Sequence, residues 1–272
     1  MQKFSYHTHT NFMGFDGRNT AEEMIKKAED IGFEEIGISN HFIYHPNFKY
    51  SGDKMIFTDY NTFEKMIGAT VDNIRAASLN SKIKVFVGFE VDYFPSKQWC
   101  DVFEKIRKNI EIDYFIGSTH IMRNDDETNL HNFYHYFYGE HNLSNDVLQE
   151  YIGNYWKNIA EAIKSGYFDF IAHIDVYRIF KIFDHLIFDD EINNLLDVFE
   201  KYKTPYELNT SGWTKNGVQH PDDNLLTSLR DRGVPVVVSD DAHSVDMLGQ
   251  HFNKAEALLY SLNYTNRWKL DK

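Results

Sequence analysis

The sequence predicts an α/β fold, an irregular barrel of seven strand–helix units. Seven short apolar runs alternate with segments of helical periodicity, which implies parallel strands joined by right-handed crossovers. Nearly every run hands off directly to a histidine or an acid, and side chains at the C-terminal ends of parallel strands converge when the sheet closes into a barrel. A doubly wound sheet concentrates its site at one switch point. Ligand-type residues at almost every strand end therefore favour closure, and seven runs instead of eight make the barrel irregular.

Taken in order, Phe4–Tyr6 is the first strand and leads to His7-Thr8-His9. Thr20 and Glu23 have capping-box spacing. They open a helix whose apolar face is Met24, Ile25, Ala28 and Ile31, with Gly32 as its C-cap. Glu35–Ser39 runs into Asn40-His41. Asp59–Leu79 reads as a second helix with Phe63, Met66, Ile67, Val71, Ile74 and Ala77 as its stripe. Lys84–Phe89 ends at Glu90, and a helix follows over Ser96–Lys108. Tyr114–Ser118 leads to Thr119-His120 and a helix over Asn145–Ser165. Phe170–Ala172 precedes His173 and a helix over Asp190–Tyr202. Tyr206–Leu208 ends at Asn209, and a helix over Asp222–Arg232 starts after Pro221. Val234–Ser239 closes the series at Asp240-Asp241-Ala242-His243. Phe42–Phe57 and the aromatic-rich Ile121–Leu143 fall outside the pattern, and loops of that length serve as lids or substrate-contacting elements. Tyr134, Tyr136, Phe137 and Tyr138 read as lid packing.

With 272 residues, 42% hydrophobic and 16% aromatic, the chain has material for a sizeable core, and no Gly/Ser-rich linker divides it. One domain over residues 1–272 is expected. A formal charge of −13 argues against nucleic acid as a partner, because phosphate backbones need a clustered basic face. The lone Cys100 excludes an intrachain disulfide, fits a reducing compartment, and beside Trp99 and Val102 reads as a buried small hydrophobe. Met1-Gln-Lys-Phe-Ser-Tyr-His lacks an apolar signal region, and no run approaches the ~20 apolar residues of a membrane span. A cytoplasmic protein with no membrane partner is expected.

The strand-end residues carry the chemistry. His7 and His9 share one strand face, a weak signal alone, as are His41 and His120 singly. Asp241-Ala242-His243 is stronger, and Glu90 ends an apolar strand where an acid is costly unless neutralised. Imidazoles with carboxylates suit Zn, Fe or Mn. Arg178, five residues beyond His173, has the geometry to bind phosphate, with an ion pair to a nearby acid as the even alternative. Asp175 is placed to support His173, and Asn209, Thr210 and Ser211 to contact substrate or support ligands. His45, His131, His135, His141, His185, His220 and His251 read mostly as surface or loop residues, although His131 and His135 would share a face of a helix.

In order along the chain, HTHTNFMGFDG, IGISNHF, VGFEVDY, FIGSTH, IAHIDVYR and VVVSDDAH resemble the motifs of the polymerase and histidinol phosphatase (PHP) superfamily. FDGRNTAEEMIKKAEDIGFEEIGISNHF, ELNTSGW and the chain length are most similar to its histidinol-phosphate phosphatases. The resemblance implies an irregular (β/α)7 barrel of the PHP type with two to three divalent metal ions (Zn, Mn or Fe) at its C-terminal face. By motif, His7, His9, Glu90 and Asp241 would hold one ion. A bridging Glu90 with His120 and His173 would hold a second, and Asp16, His41 and His243 a third. Asp16 stands where many relatives have histidine, and Asn40 where an acid is frequent. The implied activity is hydrolysis of L-histidinol phosphate to L-histidinol and phosphate, a step of histidine biosynthesis, by hydroxide generated at the bridged metals. Asp241 would take the proton of the attacking water, and His243 or a metal-bound water would protonate the leaving group. The partners implied are a small phosphate monoester and inorganic phosphate as product. Two alternatives stand beside this reading. One is another PHP phosphoesterase, a 3′–5′ exonuclease or a nucleotide or sugar phosphatase; the other is a non-catalytic regulatory barrel that binds metal.

Overall fold

A computed structural model describes residues 2–48, 56–134, 144–180 and 186–272. Within them nine strands form: β1 (Phe4–Ser5), β2 (Glu35–Phe42), β3 (Lys84–Asp92), β4 (Tyr114–Ser118), β5 (Ile121–Arg123), β6 (Leu130–Asn132), β7 (Phe170–Ile171), β8 (Tyr206–Asn209) and β9 (Val236–Ser239). Seven make one sheet in the order β1-β2-β3-β4-β7-β8-β9, every neighbouring pair parallel. Just beyond the two edge strands, Thr8 and Ala242 form a parallel bridge, with His9 N donating to Ala242 O at 2.8 Å and Ala242 N to His7 O at 3.2 Å. The sheet is thus nearly closed into a barrel.

The helices are α1 (Ala21–Asp30), α2 (Tyr60–Ser78), α3 (Lys97–Asn109), α4 (Asn145–Ser165), α5 (Asp189–Tyr202), α6 (Gly212–Lys215), α7 (Asp223–Asp231) and α8 (Phe252–Ser261). Local chemistry sets where they begin. Thr20 and Glu23 form the reciprocal capping box of α1. Asp59, Ser144 and Asp222 each accept a backbone N–H at the start of α2, α4 and α7. Gly166 ends α4 in the left-handed region that favours glycine.

The two faces of β3 show how the barrel is filled. Val87, Phe89 and Val91 are fully buried and join the apolar faces of the helices in the main core. Phe86, Gly88 and Glu90 alternate with them and face inward. Tyr6, Phe86, Tyr114, Ile116, Phe170 and Val237 form a separate cluster there. Glycine at positions 37 and 88 makes room for it: a Cβ on Gly37 would lie 2.3 Å from the Tyr114 Oη, and one on Gly88 2.3 Å from its Cζ. Tyr114 spans the interior and donates to Tyr6 O at 2.6 Å. The lower barrel is therefore apolar and packed, and the polar ends of the same strands gather above it.

The structure departs from the sequence reading in places. Ile121–Leu143 contains the antiparallel β5–β6 hairpin, in which Met122 pairs with His131. His131 therefore lies on a strand and not on a helix, and His135, Tyr136, Phe137, Tyr138 and His141 lie outside the described residues, as does His185. α6 and α8 were not anticipated. α6 has only four residues, too few for periodicity, and α8 lacks a side-chain cap. Cys100 is half-buried, not buried. His45 and His220 are buried against Glu127 and Asp175, while His251 is exposed. No described helix is long and apolar enough to cross a membrane.

Candidate metal centre

His7, His9, Asp16, His41, Glu90, His120, His173, Asp241 and His243 come together at the C-terminal ends of the barrel strands. Parallel register does much of this work. His41 on β2 is the direct partner of Glu90 on β3, so an imidazole and a carboxylate stand side by side on the inner face. The Thr8–Ala242 bridge then sets His7 and His9 beside Asp241 and His243. Asp16 arrives from the loop after β1, where Gly17 packs so tightly that a Cβ would lie 2.3 Å from Thr10 O. Asp241 itself has a φ of 48°, a left-handed conformation that is strained for a non-glycine residue and recurs at functional sites.

Glu90 is the hub, and it is fully buried. Its Oε1 lies 2.9 Å from His173 Nε2 and 3.3 Å from His120 Nε2. Its Oε2 lies 2.9 Å from His41 Nδ1, 3.3 Å from His7 Nε2 and 3.6 Å from His9 Nε2. Asp241 Oδ1 lies 3.3, 3.5 and 3.6 Å from nitrogens of His9, His243 and His7. Asp16 reaches His243 Nε2 at 2.9 Å and His41 Nε2 at 3.5 Å. Burial opposes ionisation of Glu90, but His120, His7 and His41 outweigh it and hold the carboxyl well below the usual range. Burial, with His243 and His41 alongside, pushes His9 down to about 3.

The donor set fits divalent ions. Among the described residues, His7 Nε2, both ring nitrogens of His9 and of His41, and Glu90 Oε2 are buried and, close as they stand to one another, have no hydrogen bond of proper geometry, a costly state that coordination relieves. Among the described residues, four groups place one donor atom per residue within 4.8 Å of each other: His9, Asp16, His41 and His243; His7, Glu90 and His173; His7, His9 and Asp241; and His41, Glu90 and His120. Compared with the sets implied by the resemblance, Glu90 falls outside the group of His7, His9 and Asp241, and His120 and His173 fall in separate groups around Glu90. His9 also converges on the Asp16 group, and His41 also converges on Glu90 and His120.

Outer contacts orient these rings. Glu207 Oε1 is 2.6 Å from His7 Nδ1, and its Oε2 accepts from His173 N at 2.9 Å and Asn209 Nδ2 at 3.0 Å. Asp92 is 2.8 Å from His120 Nδ1. Such partners fix the tautomer and raise ligand basicity. Sequence reading missed both acids, although Glu207 has the same signal as Glu90, an acid inside an apolar strand. Asp92 also lies two residues beyond Glu90 on the same face. Asp175 accepts from His220 Nδ1 at 2.8 Å and Asp222 N at 2.9 Å instead of supporting His173. Asn40 accepts from Thr10 N at 2.7 Å and so secures the loop after β1. Ser211 Oγ, with one hydrogen to give, lies 2.7 Å from Asn209 Oδ1 and 3.2 Å from Asp241 Oδ2, whereas Thr210 ties to Gln250 O.

A cavity of about 350 Å³ opens over the cluster, lined by Asp16, His41, His120, Asp241 and His243 together with Arg18, Ile43, Asn132, Tyr134, Lys215 and Met247. Lys215 Nζ is 3.0 Å from Asp241 Oδ2. Arg178 is paired with Asp222, lies 3.8 Å from Asp175, and is not among the lining residues.

The PHP domain family model matches residues 5–211. The chain belongs to the PHP domain family. It is 29% identical over 185 residues to a Deinococcus radiodurans protein named "Probable histidinol-phosphatase", covering 64% of this chain and 63% of that protein, just under two-thirds of the relative's length. A Schizosaccharomyces pombe protein of the same name is 21% identical over 291 residues, covering 98% of this chain and 89% of that one. The fold is similar to that of the histidinol phosphate phosphatase of Lactococcus lactis, solved with zinc, L-histidinol and phosphate, at a TM-score of 0.66 and 16% identity over 100% of this chain and 99% of that one. The PHP barrel is thus the shared architecture.

Proposed function

We propose that the protein is a metal-dependent phosphomonoesterase that hydrolyses L-histidinol phosphate to L-histidinol and phosphate. The observation that carries the reading is the convergence of six imidazoles and two further carboxylates around buried Glu90 beneath a cavity. The names of the two relatives, probable histidinol-phosphatases, support the substrate. Two to three divalent ions (Zn, Mn or Fe) would supply Lewis acidity there, lowering the pKa of a water and neutralising phosphoryl oxygens.

In this proposal the nine side chains would hold the ions, and Glu90, which faces five imidazoles, would be the shared ligand. Asp241 accepts the proton of the attacking water, and its depressed pKa, set against burial by Lys215, His243 and His7, keeps it ionised for that task. His243 lines the same cavity and is the candidate to protonate the leaving alkoxide. The cavity, about 350 Å³, suits a small molecule. A net charge of −13 favours a leaving group with cationic character over an anionic nucleotide.

The test is phosphate release by metal-reconstituted protein against a panel of phosphate esters. The expected result is the highest kcat/KM on L-histidinol phosphate. Faster cleavage of nucleotides or single-stranded DNA ends would overturn the substrate, and no release from any ester would overturn the phosphatase reading itself.

A further inference from the structure

We infer that Lys215 binds the phosphoryl group of the substrate, through the ammonium hydrogens that Asp241 leaves free. The inference rests on the phosphomonoesterase reading above and names a cation of its phosphate site.

The backbone of α6 is held in place from several sides. A Cβ on Gly212 would lie 2.2 Å from Val218 O, so the helix abuts the turn that follows it. Thr210 Oγ1 donates to Gln250 O at 2.8 Å, and Thr214 Oγ1 meets Gln250 Oε1 at 3.1 Å and His251 Nε2 at 2.9 Å. The single turn that carries Lys215 is therefore fixed against the segment before α8. From it the side chain, 34% exposed, reaches Asp241.

The Asp241 carboxylate divides its two oxygens. Oδ1 is turned to His7, His9 and His243, and Oδ2 takes Lys215 Nζ at 3.0 Å and Ser211 Oγ at 3.2 Å. An ammonium carries three hydrogens. Among the described residues Asp241 is the sole acceptor within hydrogen-bond distance of Lys215 Nζ, while Lys215 also lines the cavity over the metal centre. A cation so placed has donor capacity directed at the space where a phosphate dianion must sit beside Asp241. Of the guanidinium groups, Arg18 also lines the cavity but comes from the exposed loop after β1, and Arg178, outside the described lining, is paired with Asp222. A compact ammonium also suits a phosphoryl group, whose oxygens swing during in-line displacement, because it acts as a point charge and demands no fixed plane.

The experiment uses the metal-loaded full chain with inorganic phosphate as the probe. Binding of phosphate is followed by calorimetry, and metal content by mass spectrometry, in the unchanged protein, Lys215→Gln and Lys215→Arg. Loss of one charge-assisted contact should weaken phosphate binding roughly 10- to 150-fold in Lys215→Gln at unchanged metal content. Lys215→Arg, which keeps the charge, should recover most of that loss. Lys215→Gln binding phosphate within about threefold of the unchanged protein, or weakening only in proportion to lost metal, would overturn the inference. If the unchanged protein hydrolyses phosphomonoesters while Lys215→Gln binds phosphate normally, the role of Lys215 fails alone. If the loaded, unchanged protein neither binds phosphate nor releases it from any monoester, the phosphatase reading fails with it.

Discussion

Replacing Glu207 by glutamine tests whether the buried acids behind the histidines serve the metal centre or only the fold. Glu207 takes His7 Nδ1 at 2.6 Å and the backbone N–H of His173 at 2.9 Å. Glutamine keeps the volume but offers one acceptor oxygen and sets an NH2 against a second donor, so at least one contact is lost along with the charge. Loss of such an outer contact typically costs 10–100-fold in metal affinity, or about 1.4–2.7 kcal/mol. A matched control exists in the same molecule. Glu127 is also buried, takes His45 Nε2 at 2.8 Å and accepts from Ser96 N at 3.1 Å, yet neither His45 nor Ser96 belongs to the cluster. Both variants should lose about 1–3 kcal/mol of folding stability. Only Glu207→Gln should weaken zinc in a chelator competition. Equal affinities in Glu207→Gln and the unchanged protein, or an equal loss in Glu127→Gln, would refute the reasoning.

Glu90→Gln removes the charge at the centre of five imidazoles and should lower metal content at more than one position; unchanged metal content and turnover would show that Glu90 is not the shared ligand. Burial opposes charging of His7 and His41, but Glu207, Glu90 and Asp241 around the first, and Glu90 and Asp16 around the second, hold both pKa values well above the ordinary imidazole value in the metal-free protein. The surrounding carboxylates thus favour the protonated rings, and metal uptake must expel the protons they hold. Affinity should rise with pH by about tenfold per unit for each proton displaced until pH passes those raised values, which calorimetry in buffers of different ionisation enthalpy reads directly; uptake at pH 7 without proton release contradicts this. Arg178, as a proposed further phosphate contact, must exchange Asp222 for the substrate. Arg178→Ala should then lower kcat/KM by roughly 10- to 150-fold with metal retained, and unchanged kcat/KM limits it to its ion pair with Asp222.

Much of the architecture was legible because strand ends and helix caps are local. Thr20 and Glu23, Asp59 and Asp222 mark helix starts within a few residues, and the apolar runs identify all seven barrel strands even where β1 and β7 keep only two residues in regular pairing. The polar strand ends were legible for the same reason: an acid such as Glu90 at the end of an apolar strand is anomalous unless something compensates it. What escaped was set by distant packing. His45 and His220 have no local signal for burial, since the acids that receive them lie 82 and 45 residues away in sequence. Asp175 shows the converse, its closeness to His173 in sequence suggesting a contact that His220 takes instead. Lys215 sits on a single helical turn whose placement depends on Gln250 and His251, contacts that no periodicity reports.

The central claim, that these strand ends form a metal centre, is tested most directly by anomalous diffraction from crystals of zinc-loaded protein. Peaks are expected among His7, His9, Asp16, His41, Glu90, His120, His173, Asp241 and His243, with zinc–nitrogen distances of about 2.0–2.1 Å and Glu90 in contact with more than one ion. No anomalous peak among these residues, or the strongest peak elsewhere on the molecule, would contradict the account.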